Sequence, residues 1–266
     1  MNQSVPVAVV SGASRGVGAA TARELGQRGY HVIVNYHSNA EAADGVVKSI
    51  EATGGSAEAI QADVREEEQV AAMIDRVTTA RGRVDALVCN ANTAQPPLEP
   101  LLSLPWETFA AKVNSELAGV YFLTQRVLAI MREQRSGRIV YVSSTAADVV
   151  GRLAAHSTAK AALNTFSRHV AADAAQYGVT VNTVAPGAVD TDATADVFTD
   201  GVRQYLRERS VFGRLLTPED LARTIALVAD DGFGAATGQI IRVDGGYNVL
   251  EQQLGGVSVA LAKPTA

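Results

Sequence analysis

Cysteine is almost missing from this chain. Cys89 is the only one, so no intramolecular disulfide can form. It lies in the apolar run "VDALVC", which reads as a small buried hydrophobe rather than a reactive thiol. Metal-ligand spacing is missing too: the four histidines, at 31, 37, 156 and 169, form no recognisable ligand set. No apolar run reaches the roughly 18 residues that span a bilayer. The stretch "MNQSVPVAVV" lacks the positive charge and cleavage site of a signal peptide. A basic excess is also absent. The formal net charge is −5 and the pI about 5.4, which excludes a basic nucleic-acid footprint. The expectation is a cytoplasmic globular protein without a membrane or nucleic-acid partner.

What is present is alternation. Runs rich in Val, Ile and Ala at Val5–Val10, His31–Tyr36, Ala57–Gln61, Ala86–Cys89, Arg138–Ser143, Thr180–Val184 and Gln239–Val243 read as strands. Several are apolar throughout, as parallel strands covered on both faces should be. Helical periodicity lies between them, near 17–28, 40–53, 66–80, 105–134, 156–177 and 217–230. This βαβ alternation predicts an α/β fold: a single Rossmann-type, doubly wound parallel sheet with helices on both faces. Residues 1–250 read as one dinucleotide-binding domain. Residues 251–266 read as a tail, disordered or packed on a neighbouring subunit.

The segment "VAVVSGASRGVGAATARELGQRG" is a strand, a glycine loop and a helix. Gly12, Gly16 and Gly18 leave the backbone bare enough to approach a pyrophosphate, and the helix N-terminus adds free N–H groups and positive dipole. Glycines also serve ordinary tight turns. Here the loop joins an N-terminal strand to an alanine-rich helix, which favours dinucleotide binding.

The spacing Gly-x-x-x-Gly-x-Gly resembles the short-chain dehydrogenase/reductase family, and the resemblance runs from about residue 5 to 250. "QADV" carries the adenine-side Asp63 and Val64. "CNAN" stands where the family has Asn-Asn-Ala-Gly, with Asn90 matched and Asn92 replacing the glycine. "KVNSELAGVYFLTQ" supplies the helix asparagine, taken as Asn114, and "GRIVYVSS" supplies the serine strand. "AAHSTAKAAL" carries the Tyr-x-x-x-Lys helix with His156 in the tyrosine's place. "VTVNTVAPGAVDTD" matches the loop after the sixth strand, with Pro186, Gly187, Val189 and Thr191 beside the cofactor. "GRLLTPEDLA", where Leu216 replaces a common glycine, and "ATGQIIRVDGGY" match the C-terminal segment. Among subgroups the chain looks most like 3-oxoacyl-thioester and polyketide-type ketoreductases.

The resemblance implies a nicotinamide cofactor held by Gly12, Ser14, Arg15, Gly16, Val17, Gly18, Asn35, His37, Ser38, Asp63, Val64, Asn90, Lys160, Pro186, Gly187, Val189 and Thr191. The second strand ends in "VIVNYHSN", with Asn35 and no carboxylate to bond a ribose 2′-OH and repel a 2′-phosphate. Arg15, with His37 and Ser38, can pair with a phosphate instead. NADP(H) is therefore the expected cofactor, and a homo-oligomer, dimer or tetramer, is expected through helices 105–134 and 156–177.

Carbonyl reduction leaves an alkoxide that a positioned acid must protonate. By resemblance the catalytic roles fall on Asn114, Ser144, His156 and Lys160. Ser143 precedes Ser144, but side chains alternate along a strand and only one of the two can face the site. Tyr141, placed on the opposite face from Ser144, and Tyr121, two turns from Asn114, are poor substitutes for the missing tyrosine. Histidine has an ordinary pKa of about 6.5, which Lys160 and a nicotinamide cation would lower, leaving a neutral imidazole that still donates one N–H. Asp148 reads as a solvated loop carboxylate, and Thr191–Arg214 as a cover over the substrate, itself a small or medium carbonyl compound. Two other readings stand beside the reductase: a non-redox cyclase or isomerase on the same scaffold, and a non-catalytic nucleotide-binding subunit.

Overall fold

The computed structural model describes residues 5–150, 153–195, 198–247 and 249. The expected tail, 251–266, lies outside the described residues. Seven strands form one sheet in the order β3-β2-β1-β4-β5-β6-β7: β1 Val7–Val10, β2 His31–Tyr36, β3 Ser56–Gln61, β4 Ala86–Cys89, β5 Gly137–Val142, β6 Val179–Pro186 and β7 Ile240–Val243. Every pairing is parallel. Strands β1, β2 and β4 are buried almost throughout, which is why their sequences do not alternate.

Two helical layers sandwich the sheet. Helices α1 (Gly16–Gln27), α2 (Ala40–Glu51) and α8 (Pro218–Val228) pack on one face around Leu25, Ile50 and Ile225. Helices α3 (Glu67–Arg81), α4 (Trp106–Gln134) and α5 (Ala154–Ala174) pack on the other around Ile74, Leu123 and Leu163. Strong local signals place the ends. Thr217 and Asp220 form a reciprocal capping box, with Pro218 opening α8. Gly82, in a left-handed conformation, ends α3. Two further helices, α6 (Asp192–Ala195) and α7 (Asp200–Arg209), lie in the expected cover segment. None of the residues of α7 is buried, and its short apolar stripe, Val202, Tyr205 and Leu206, faces no core.

The chain reverses direction across the sheet between β1 and β4, and the crevice beyond the strand ends at such a switch point is where these sheets bind ligands. Here the crevice is stitched shut at its base. The Asn90 side chain after β4 donates to the Ser11 and Gly12 carbonyls at 3.1 Å each. The Ser11 hydroxyl accepts from the Asn90 and Ala91 N–H groups at 3.0 and 3.1 Å. Asn90→Ala should cost about 1–3 kcal/mol, the range for leaving buried carbonyls unpaired. Urea unfolding checks this, and an unchanged midpoint would contradict the stitching.

Candidate active site

The glycine loop is shaped by close approach. A β-carbon on Gly12 would sit 2.8 Å from the Ala91 Cα, and one on Gly18 would sit 2.3 Å from the Gly12 carbonyl oxygen. Neither contact is possible, so both positions demand glycine. The loop opens on a cleft of about 580 Å³ lined by Gly12, Ser14, Arg15, Gly16, Val17, Asn35, His37, Ser38, Asp63, Val64, Asn90 and Thr191, together with Arg65 and Asn92–Gln95. These residues fit a dinucleotide: a bare backbone, a helix N-terminus at Gly16, and an exposed Arg15 with no ion pair among the described residues.

Other expected cofactor contacts are used differently. The Asn35 Oδ1 accepts from the Gly12 N–H at 3.3 Å, and its Nδ2 donates to the Ala62 carbonyl at 3.1 Å and the Ile60 carbonyl at 3.4 Å. Asn35 thus pins the loop from within the fold, and His37 and Ser38 line the cleft beside it. Both Asp63 oxygens accept from the Arg65 guanidinium, and His37 lies 3.5 Å away. The guanidinium holds the Asp63 carboxyl down at about 2. Gly18 lies behind the loop rather than on the cleft wall. Pro186, Gly187 and Val189 also lie off the wall: Pro186 ends β6, the Gly187 N–H donates to the Val243 carbonyl, and Val189 is buried and bridged to Leu216. The buried, apolar Leu216 thus serves packing.

Helix α5 begins at Ala154, which puts His156 in its first turn. His156 and Lys160, four residues apart, share one face. The half-buried His156 has a buried Nδ1 with no hydrogen-bond partner. Burial pushes its pKa down to about 4, with further lowering by Lys160 and Lys112 outweighing the opposing pull of Glu116. The sequence-based expectation of a neutral imidazole agrees with this direction, although burial contributes more than the lysine.

The serine pair divides as alternation requires. Ser143 is buried with its hydroxyl 3.4 Å from the Lys160 carbonyl. Ser144 is half-buried and accepts from the Ala146 N–H at the start of the 3-10 turn Thr145–Asp148, which packs on α5. Tyr141 shares the inward side with Ser143 and is wholly buried, its hydroxyl 2.8 Å from that of Thr124. Neither Tyr141 nor the exposed Tyr121 stands in for the missing phenol. Asp148 pairs with Arg242 at 2.8 Å, as a solvated loop carboxylate would. Burial also raises the Cys89 thiol pKa, which keeps it inert.

Asn114 is a correction. It is exposed, on the side of α4 away from the buried Lys112 and Glu116, because two residues along a helix rotate a side chain by about 200°. The α4 residue that meets Lys160 is Glu116. Its Oε1 pairs with the Lys160 ammonium, and its Oε2 accepts from Lys112 at 2.6 Å. Lys112 also donates to the Asn92 Oδ1 at 2.8 Å and the Ala94 carbonyl at 2.7 Å. The sequence shows only that Lys112 and Glu116 sit four apart, a spacing that usually marks a solvated helix face and does not reveal burial.

A parallel doubly wound sheet with a glycine loop at its switch point and a histidine–lysine face beside it defines a nucleotide-binding oxidoreductase scaffold. A family model described as enoyl-(acyl carrier protein) reductase matches residues 12–248. The chain is 40% identical over 243 residues to a 3-oxoacyl-[acyl-carrier-protein] reductase of Synechocystis, covering 90% of this chain and 96% of that one. It is 38% identical to a cis-4-hydroxycyclohexanecarboxylate dehydrogenase of Sinomonas cyclohexanicum, covering 92% and 97%. An acetoin dehydrogenase structure from Enterobacter cloacae superposes with a TM-score of 0.84 at 28% identity, covering 95% and 99%. The chain belongs to the short-chain dehydrogenase/reductase family and is an oxidoreductase of the carbonyl/hydroxyl type. No helix among the described residues is long and apolar enough to cross a membrane.

The His156 C2 proton should titrate near pH 4 by NMR. A midpoint above 6 would contradict the buried, cation-flanked setting.

Proposed function

We propose that this protein is an NADPH-dependent reductase of a small or medium carbonyl compound, with neutral His156 as the hydrogen-bond and proton donor. The observation that carries this reading is the buried, partnerless Nδ1 of His156, one turn before Lys160. A buried imidazole nitrogen without a partner is costly, and a ligand in this site would relieve that cost. When bound, NADPH supplies the hydride to the carbonyl carbon. Ser144 and the imidazole N–H hold the carbonyl oxygen and stabilise its developing charge; the imidazole passes its one proton to that oxygen, and the imidazolate so formed, facing the Lys160 ammonium, takes a proton back from water.

Lys160 has three N–H groups. One meets Glu116 and one donates to the Val142 carbonyl at 3.0 Å, which leaves a single donor for a ligand. Arg15, with His37 and Ser38, accounts for a preference for the 2′-phosphate. The relatives named for carbonyl reduction and alcohol dehydrogenation support the reaction class. A cytoplasmic homo-oligomer, dimer or tetramer, associating through the long α4 and α5 helices, belongs to the same proposal. The replacements at His156 and Asn92, together with the engagement of Lys160 by Glu116, favour a non-redox isomerase or cyclase on this scaffold.

NADPH should bind more tightly than NADH by fluorescence titration. Arg15→Ala should narrow that difference by about 1.5–3 kcal/mol, the range for a hydrogen bond to a charged group; equal wild-type affinities would contradict the assignment. His156→Phe should lower turnover about 10²–10⁴-fold, the usual worth of a positioned acid, with NADPH affinity nearly unchanged. With its pKa held down at about 4, His156 stays neutral through pH 5–8, and its contribution to the rate should be flat across that window. A break in rate near pH 6.5 that His156→Phe abolishes would show an ordinary, solvated histidine instead.

A further inference from the structure

The least expected group in the molecule is the buried trio Lys112, Glu116 and Lys160, whose side chains are 1%, 2% and 8% exposed. All of its hydrogen-bonding groups have partners except one N–H of Lys160. All three Lys112 N–H groups have acceptors, in Glu116, Asn92 and Ala94. Each carboxylate oxygen of Glu116 meets one ammonium. Lys160 takes the remaining carboxylate oxygen and the Val142 carbonyl.

Two of these partners belong to the dinucleotide cleft, because Asn92 and Ala94 line its wall. Asn92, the side chain that replaces the family's glycine, is therefore an acceptor for Lys112. The trio carries a net charge of +1, the same as Lys160 alone beside a neutral side chain. Within the trio the Glu116 carboxylate is balanced by the Lys112 ammonium at 2.6 Å, which leaves the Lys160 charge as the net one. A buried charge that loses its partner is strongly destabilising, whereas charges removed as a pair often cost little.

We propose that Lys112 and Glu116 act as one charge-neutral bracket that fixes the Lys160 ammonium and ties it to the cleft wall at Asn92–Ala94, so that cofactor grip and lysine placement are set together. The inference rests on the reading of the cleft as an NADPH site. Both bracket residues are positioning residues that act through Lys160 and the wall segment. The charged and titratable groups facing Lys160 are Glu116 and Lys112 from α4 and His156 from its own helix. Strand β5 and the residue after it contribute the neutral Val142 carbonyl and Ser143.

The test is a charge cycle: Glu116→Gln, Lys112→Met, and the double variant. Glu116→Gln leaves two buried ammonium groups facing each other without a counter-charge. The double variant returns the site to one ammonium. Thermal midpoints of the cofactor-free proteins and NADPH dissociation constants are read for all four. Glu116→Gln should weaken NADPH binding at least tenfold and give the lowest midpoint. The double variant should recover at least half of both losses on a logarithmic affinity scale and a linear temperature scale. Simple space-filling would make the double variant at least as poor as Glu116→Gln in both readouts, and that result overturns the bracket. An affinity and midpoint in Glu116→Gln indistinguishable from wild type overturn it as well. If NADPH binds none of the four proteins while the midpoints keep the expected ranking, the cofactor reading fails and the electrostatic bracket stands.

Discussion

The carboxylate of Glu116, held between two ammonium groups with no water-exposed edge, is the constraint on which the rest of the site depends. It fixes where Lys160 can point, and Lys160 in turn shares its helix face with His156. On the other side it holds Lys112 against the segment that follows β4. Burial opposes ionisation of Glu116, yet the two cations keep its carboxyl down at about 2. The carboxylate is therefore a fixed charge and cannot serve as the acid of the reaction. Proton donation is proposed for His156, and the environment of His156 disfavours the imidazolium.

The scaffold below this site behaves as an ordinary parallel sheet. The β1 and β4 loops are cross-bonded through Ser11 and Asn90, and Asn35 reaches from β2 to hold the Gly12 N–H. These contacts brace the glycine loop from within the fold. Preorganisation of this kind lowers the ordering cost of binding. It also separates two jobs that the sequence motif merges: Asn35 and Gly18 shape the loop from behind, while Arg15 and the loop backbone face the cleft.

Much of this was legible in the sequence. Strands β2 and β4 fall on their expected bounds, and the others shift by one or two residues, because apolar runs between glycine-bearing turns are unambiguous. The doubly wound sheet followed from strand–helix alternation. Helix α7 was not picked out, since only Val202, Tyr205 and Leu206 carry its period among charged neighbours and none of them is buried. Asn114 was chosen by residue type, and the helical rotation that carries it away from Lys160 appears only once the α4 face is fixed by packing. Tyr141 has the orientation that strand parity gives relative to Ser144, yet its burial against Thr124 depended on tertiary packing. The buried trio was illegible for a different reason: oppositely charged residues four apart look identical whether water or protein surrounds them.

The account turns on whether His156, Lys160 and Ser144 support hydride chemistry or only remain on a scaffold that does something else. Isotope tracing addresses this most directly. The protein is given NADPH deuterated at the transferable position of the nicotinamide, together with a carbonyl substrate it converts, and the product is examined by mass spectrometry and NMR. The account predicts one deuterium per product molecule, on the former carbonyl carbon. Conversion of the substrate without deuterium in the product would contradict it.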